Sequence, residues 1–322
     1  MPSIGGIHHV TAVAGDPQEN LDFYAGELGL RLVKRSVNQD DPTTYHLFYA
    51  DREGRPGTDL TFFPFPDGRR GRTGAGIVGE VAFQVRPDSL DYWSDRLRGP
   101  DSEADVKQRG ERFGDPVLTF SGPHGLDLAI VETEQATERE WTAWERSPVP
   151  EQHQLRGFHA VRARETSLEG TQTLVTDVLG MEHVGEDGSW HRYAGTDPAS
   201  GYLELRAAPQ AQRARGGRGT VHHVAWRAGD ESDEKRLREA VADHGLNPTD
   251  VIDRFWFRSV YFREPGGVLF ELATEEPGFT ADEPLESLGE RLVLPPWLED
   301  DRDEIENVLA DLELPYPTSQ EA

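Results

Sequence analysis

The chain repeats one order of elements four times, and this limits the folds open to it more than any other feature. Residues 7–14, IHHVTAVA, read as an apolar strand. Asp16 then caps a helix with Pro17 in its first position. Leu21, Tyr24 and Leu28 mark the buried face of that helix, and Gly29 ends it. Strand-like segments follow at 30–37, 45–50 and 59–65. The order returns from residue 79, with a helix over 88–97 stopped by Gly99 and a last strand over 126–131. It returns from Gly157, with a helix over 168–179 stopped by Gly180 and a last strand over 201–207. It returns once more from Val221, with a helix over 232–244 stopped by Gly245 and a last strand over 268–273. The spacing predicts an α+β protein of four βαβββ modules.

The segment from Glu132 to Gln154 is acidic, carries Trp141 and Trp144, then Pro148 and Pro150, and is the best boundary in the chain. The sequence divides into modules one and two (1–135), a linker (136–154), modules three and four (155–275) and a tail (276–322). The tail holds Leu294-Pro295-Pro296-Trp297 and a short helix with Ile305, Val308, Leu309 and Leu312 on one face. It is expected to pack over a domain edge.

Composition excludes several chemistries. The 322 residues include no cysteine, which rules out disulfides, thiolate catalysis and Cys-ligated zinc or iron–sulfur clusters. No apolar run approaches the roughly 20 residues of a membrane span. The N-terminus has no basic block followed by an apolar one, so a cytoplasmic protein without a signal peptide is expected. The formal net charge is −26, and Lys34, Lys107 and Lys235 are the only lysines. Acid spread along the whole chain suits a halophilic, salt-rich cytoplasm, where screening removes self-repulsion, better than an acidic partner surface. It argues against nucleic acid as a partner.

The residues that carry chemistry sit on repeated strands. In Val251–Thr274 two strands, 256–262 and 268–273, flank the turn Arg263-Glu264-Pro265-Gly266-Gly267. Alternation puts Glu271 on one face between Leu269 and Ala273. A carboxylate in apolar company is costly unless something neutralises it, and a divalent metal would do so. Histidine pairs His8-His9 and His222-His223 open modules one and four. Two neutral imidazoles and one carboxylate are the donor set of the facial triad of non-haem Fe(II) oxygenases. Module two has Glu80 at the matched position, and module three has both His159 and Glu204 in register. Two sites are therefore open on residues alone: one shared by modules one and four, or one shared by modules three and four with His159, His223, Glu271 and Glu204.

The repeat unit resembles the βαβββ module of the vicinal oxygen chelate superfamily, the glyoxalase/dihydroxybiphenyl dioxygenase fold. The segments HHVTAVAGDPQENLDFYAGELGLRLVKRSVNQDD, RGFH, GTVHHVAWR, DRFWFRSVYFREPGGVLFE and LGERLVLPPWLE are similar, in that order and over nearly the whole chain, to ring-cleaving dioxygenases that act on hydroquinones. The resemblance implies modules paired into two half-closed sheets, with His9, His223 and Glu271 as metal ligands in a cavity between modules one and four. It implies that His8, His222, Thr11, Arg254 and Tyr261 lie near the substrate, although strand alternation alone points His8 and His222 away. His222 or Tyr261 would transfer protons and Arg254 would stabilise developing negative charge. The implied reaction is Fe(II)-dependent, extradiol-type opening of a hydroquinone or catechol-type ring with O2, Mn(II) being equally compatible with the ligands. The partners would be a small aromatic diol and O2, with no membrane; a homo-oligomer is left open. An oxygen-independent glyoxalase-like isomerase or hydrolase would need a fourth protein ligand, and a metal-free binding protein on the same fold would need none. His46, His124, His153, His183, His191 and His244 fall outside the matched positions and read as structural or surface residues.

Overall fold

In the computed structural model, which describes residues 3–319, every module has one helix and four strands. Module one supplies β1 (Ile7–Ala14), β2 (Arg31–Asn38), β3 (Asp41–Ala50) and β4 (Asp59–Pro64). Module two supplies β5 (Ile77–Val85), β6 (Asp105–Arg112), β7 (Asp115–Ser121) and β8 (Asp127–Glu132). Module three supplies β9 (Phe158–Glu165), β10 (Glu182–Asp187), β11 (Trp190–Ala194) and β12 (Tyr202–Ala207). Module four supplies β13 (Thr220–Arg227), β14 (Ile252–Asp253), β15 (Arg258–Arg263) and β16 (Leu269–Ala273).

The strands form two eight-stranded sheets, in the orders β14-β15-β16-β13-β1-β4-β3-β2 and β10-β11-β12-β9-β5-β8-β7-β6. The first sheet joins modules one and four; the second joins modules two and three. In each sheet the two opening strands lie side by side and antiparallel, β1 with β13 and β5 with β9. Each module's last strand runs parallel to its own first strand. Each sheet therefore has a local twofold arrangement with the opening strands at its centre.

Local chemistry explains the helices. Asp16 accepts from Gln18 N at 2.8 Å and Glu19 N at 3.0 Å, with Pro17 in the first turn. Leu21, Tyr24 and Leu28 are buried. Gly29 closes the helix at φ +73°, a conformation that a side chain disfavours. In modules one and three the helix widens to a π turn, at Asp22–Glu27 and Leu174–Val178, a change that the apolar spacing does not report. The strand expected from Trp256 starts at Arg258, because Phe255 takes φ +74° and turns Trp256 and Phe257 inward.

The tail packs on the face of the first sheet that bears Glu271. Phe279, Leu288 and Val293 join Val33, Phe48, Ala225, Trp256 and Ala273 in one apolar cluster. Lys34 fastens it: fully buried, its Nζ lies 2.8 Å from Asp282, 2.5 Å from Glu283 and 3.0 Å from Phe279 O. The tail helix (Arg302–Val308) is shorter than expected. Ile305 and Leu312 are buried but Val308 is exposed, because the chain is extended from Leu309 onward.

A polar clasp ties the end of β9 in the second sheet to the turn after β15 in the first. Thr171 Oγ1 lies 2.6 Å from Glu165 Oε2 and 2.5 Å from Glu264 Oε2, and all three residues are buried. A hydroxyl has one hydrogen, so it can bond both carboxyl groups only if one of them is protonated. Glu264 also accepts from Gly266 N and Val268 N, which favours its charge. The proton therefore belongs on Glu165, whose pKa is raised by burial and then by the Glu264 charge. Gly266 lies over this group, and a Cβ there would sit 2.2 Å from Glu165 Cδ.

Candidate metal centre

Strand register brings His9, His223 and Glu271 together. His9 on β1 faces Ala225 on β13, Ala225 faces Glu271 on β16, and Glu271 faces Tyr261 on β15. The methyl group of Ala225 is all that stands between His9 and Glu271 in this row. His223, in the next row opposite Thr11, leans over the same gap. His9 Nε2 and His223 Nε2 are 3.2 Å apart, and Glu271 Oε2 is 3.3 Å and 2.9 Å from them. All three side chains are buried. Although close, Oε2 makes no aligned hydrogen bond, so its lone pairs face the gap. Burial works against the Glu271 charge; hydrogen on the facing His9 and His223 nitrogens would hold the carboxylate well below its ordinary range, and a cation in the gap would take over that role from neutral imidazoles. One buried anionic oxygen and two imidazole nitrogens converging on one point fit a divalent cation.

Each donor is set by a partner. His8 Nε2 lies 3.0 Å from Thr274 O, which can only accept, so this nitrogen carries hydrogen. Burial, and then His9, push the His8 imidazole down to about 3, so it is neutral and its Nδ1 accepts. His9 Nδ1, 3.0 Å away, must then donate, which leaves His9 Nε2 with a free lone pair. His222 Nδ1 stands 2.8 Å from His223 Nδ1, so one of the two carries hydrogen; a neutral His223 that keeps Nε2 free for a metal is the donor. Ser259 Oγ donates to Glu271 Oε1 at 2.5 Å, leaving Oε2 for the gap. The resemblance placed His8 near the substrate and strand alternation pointed it away; it does not line the cavity, and stands behind His9. A register shift in β1 between Ile7 and His9 breaks that alternation and lets the two rings meet edge to face.

The gap opens into a cavity of about 330 Å³ whose walls include His222, Arg254, Tyr261, Phe48, Phe63 and Trp256. Arg254 grips Asp40 through both nitrogens, at 3.1 and 2.9 Å, while its guanidinium lies 5.5 Å from the Tyr261 ring centre. Burial, and then Glu271, raise the Tyr261 hydroxyl well above its ordinary range, so it stays a donor. His222 is pushed down to about 4 by burial and then by His223. Thr11 does not line the cavity; its hydroxyl bonds Thr61 Oγ1 at 2.8 Å inside the sheet. Among the wall residues, His46 had read from the sequence as structural or surface. His46 on β3 packs against Phe48 and Phe63, with ring centres 3.8 and 4.4 Å apart, and burial holds it neutral. The signal available in the sequence was its place two residues before Phe48, on one strand face.

The corresponding row in the second sheet is Glu80, Arg162, Glu204 and Arg192, on β5, β9, β12 and β11. Arg162 stands where Ala225 stands in the first sheet. Its Nε lies 2.7 Å from Glu204 Oε2, and Arg192 reaches Glu204 Oε1 at 2.6 Å. His159 Nε2 is 3.2 Å from Arg192 Nη2, and burial and then Arg192 push its imidazole down to about 3. Guanidinium groups fill the place of a cation there. His159 and Glu204 belong to the sheet opposite His223 and Glu271, and do not join them. A larger and more open groove, about 670 Å³, lies between Asp22–Glu27 and Asp95–Glu103, but no imidazole lines it. His183, Glu186 and His191 also group together, on the exposed β10–β11 hairpin.

Comparison with known proteins agrees with this architecture. The model of the glyoxalase/bleomycin resistance protein/dioxygenase superfamily matches residues 6–141 and 157–272. The chain is 42% identical over 310 residues to "Putative ring-cleaving dioxygenase MhqO" of Bacillus subtilis, covering 96% of this chain and 97% of that one. It is 33% identical over 317 residues to "Chlorohydroquinone/hydroquinone 1,2-dioxygenase" of Sphingobium indicum, covering 96% and 97%. A crystal structure titled as a putative dioxygenase from Bacillus subtilis superposes with a TM-score of 0.91 at 41% identity, over 98% of this chain and 99% of that one. Glyoxalase I of Zea mays shares the fold, with a TM-score of 0.61 at 15% identity over 84% and 92%.

Proposed function

The chain belongs to the glyoxalase/bleomycin resistance protein/dioxygenase superfamily, and on that premise we propose that it opens the ring of a hydroquinone-type diol with O2, using a metal held by His9, His223 and Glu271. The observation that carries the reading is the buried, unaligned Glu271 Oε2 facing two free imidazole nitrogens at the floor of an aromatic-lined cavity. The relatives named for ring cleavage and for hydroquinone support the substrate class. Fe(II) is the metal we assign, since it supplies the redox chemistry that reaction with O2 requires; Mn(II) fits the same donors. Cleavage is taken as extradiol-type, beside an oxygen-bearing carbon.

The chain's own groups then have separable tasks. The donors hold a net charge of +1 with a dication, which favours a phenolate in the cavity. The aromatic walls exclude water and orient the ring. His222 accepts at Nδ1 from His223, so in its neutral form it presents Nε2–H to the cavity and serves as a proton donor. Tyr261 offers a second hydroxyl donor, and Arg254, fixed by Asp40, places positive charge where an oxyanion develops. The acidic surface fits a salt-rich cytoplasm. Among the described residues no helix is long and apolar enough to cross a membrane.

The test is anaerobic reconstitution with Fe(II) in high salt, followed by O2 uptake on adding hydroquinones and then catechols. Metal-dependent uptake with loss of the aromatic absorbance is expected for hydroquinones. His9→Ala, His223→Ala and Glu271→Ala should each abolish metal retention, while His159→Ala should keep it. The opposite pattern, with metal lost only in His159→Ala, would move the centre to the other sheet. Metal-loaded protein that consumes no O2 with any diol would end the dioxygenase reading.

A further inference from the structure

His46 is a polar group in the cavity wall that the metal centre and its partners leave without a task. It sits on β3, and β3, β4, β1, β13 and β16 follow one another across the first sheet. His46 is thus four strands from Glu271, and the curl of the sheet sets the two against a common cavity. Its flanks are Phe48 and Phe63, so it is a polar group between two aromatic walls.

The hydrogen bonds behind it fix which nitrogen carries hydrogen. His46 Nε2 lies 2.8 Å from Thr61 Oγ1, and Thr61 Oγ1 lies 2.8 Å from Thr11 Oγ1. Both threonines are fully buried. The chain of bonds can run in two directions. If His46 donated to Thr61 and Thr61 to Thr11, the Thr11 hydrogen would be buried with no acceptor among the described residues. If Thr11 donates to Thr61 and Thr61 to His46 Nε2, every hydroxyl hydrogen is used. The second direction leaves hydrogen on His46 Nδ1, which has no protein partner among the described residues and is not sealed from solvent.

We propose that His46 Nδ1–H is a specificity-determining donor that binds the distal oxygen of a ring whose other oxygen faces His9, His223 and Glu271. The inference rests on the proposed function and assigns the residue that tells its 1,4-diol from a 1,2-diol. In a 1,4-diol the second oxygen lies at the far end of the ring and meets His46. In a 1,2-diol it lies beside the first and leaves the His46 hydrogen without an acceptor. Thr61 and Thr11 are positioning residues, acting on the ligand only through the His46 tautomer.

The experiment measures equilibrium binding without O2, by calorimetry on the Fe(II)-loaded full chain, with hydroquinone and phenol as probes. These differ by the distal oxygen alone. The wild-type protein should bind hydroquinone about tenfold more tightly than phenol, the effect of one hydrogen bond to a group otherwise left unpaired in a buried site. In His46→Phe the preference should fall to about twofold or less with phenol affinity retained. Thr61→Val should lose part of the preference and Thr61→Ser should restore it, a pattern that mere cavity filling does not produce. If His46→Phe keeps the wild-type preference, or weakens both probes equally, the proposal is overturned while the proposed function stands. If the wild-type protein binds the two probes alike, no distal donor operates and the proposal is again overturned. If metal-loaded wild-type protein binds neither, the proposed function itself falls.

Discussion

Replacing Glu165 by Gln should make the stability of the protein less dependent on pH, and in a stated direction. The structure places one proton on the Glu165–Thr171–Glu264 clasp, because a single hydroxyl contacts both carboxyl groups; burial raises both, and backbone amides donating to Glu264 make it the one that keeps its charge. Glu165 has its pKa raised above the ordinary glutamate value, first by burial and then by Glu264. The sign follows from linkage. Between the unfolded and the raised folded value, the folded state binds one more proton than the unfolded state, so stability is full at low pH and is lost as pH rises. One proton corresponds to about 1.4 kcal/mol per pH unit. Glutamine has the shape of the protonated carboxyl and does not titrate. The assay is urea unfolding of wild type and Glu165→Gln in high salt at several pH values. Taking the difference between the two proteins cancels the other titrating groups. The variant should gain about 1.4 kcal/mol on the wild type between roughly pH 5.5 and 6.5. A difference that stays constant across this range would refute the shared proton.

Three further outcomes follow from the packing. Ala225→Leu should abolish metal binding while all three donors remain, because the added side chain occupies the gap between His9 and Glu271; metal analysis beside circular dichroism would show it, and metal retained at wild-type stoichiometry would contradict the row geometry. Lys34→Met should destabilise the protein by about 3–5 kcal/mol, since it removes the buried cation of Asp282 and Glu283 and leaves Glu283 only the exposed Arg291 at 3.9 Å. Chemical denaturation would measure it, and a loss below about 1 kcal/mol would mean that the tail is held by its apolar contacts alone. Thermal stability should rise with added salt through a few tenths molar as screening relieves the −26 net charge, and a melting temperature indifferent to salt would dismiss self-repulsion as a significant term.

How much of this was readable from the chain depends on the scale of each feature. Strand alternation identified Glu271 as a carboxylate in apolar company, and glycines such as Gly29 and Gly245 marked the helix ends, because these signals are local. The partnership of modules one and four came from family resemblance, since strand period says nothing about which sheet a strand joins. The decisive contrast, Ala225 against Arg162 in the equivalent row, appears only once register is known. The contact of His8 with His9 depends on a shift in β1 that breaks alternation, and His46 was passed over because it lies on a strand with no repeated histidine. The tail was expected at a domain edge, and Leu292 does pair with Arg35 on the edge strand β2; Phe279 and Lys34 also bring it over the face that bears Glu271, through contacts some 245 residues apart in sequence.

The two sheets also differ in what they ask of their surroundings. Arg162 and Arg192 are covalently part of the chain, so the second sheet keeps its positive charge in any buffer and cannot be emptied by a chelator. The first sheet has only a methyl group in that place, and on the proposed function it would recruit its cation from solution. A chelating agent would therefore act on half of a near-symmetric molecule and leave the other half as an internal control. Spectroscopic probes placed in each sheet, one near Trp256 and one near Trp190, would separate the loss of a borrowed ion from general unfolding within a single sample.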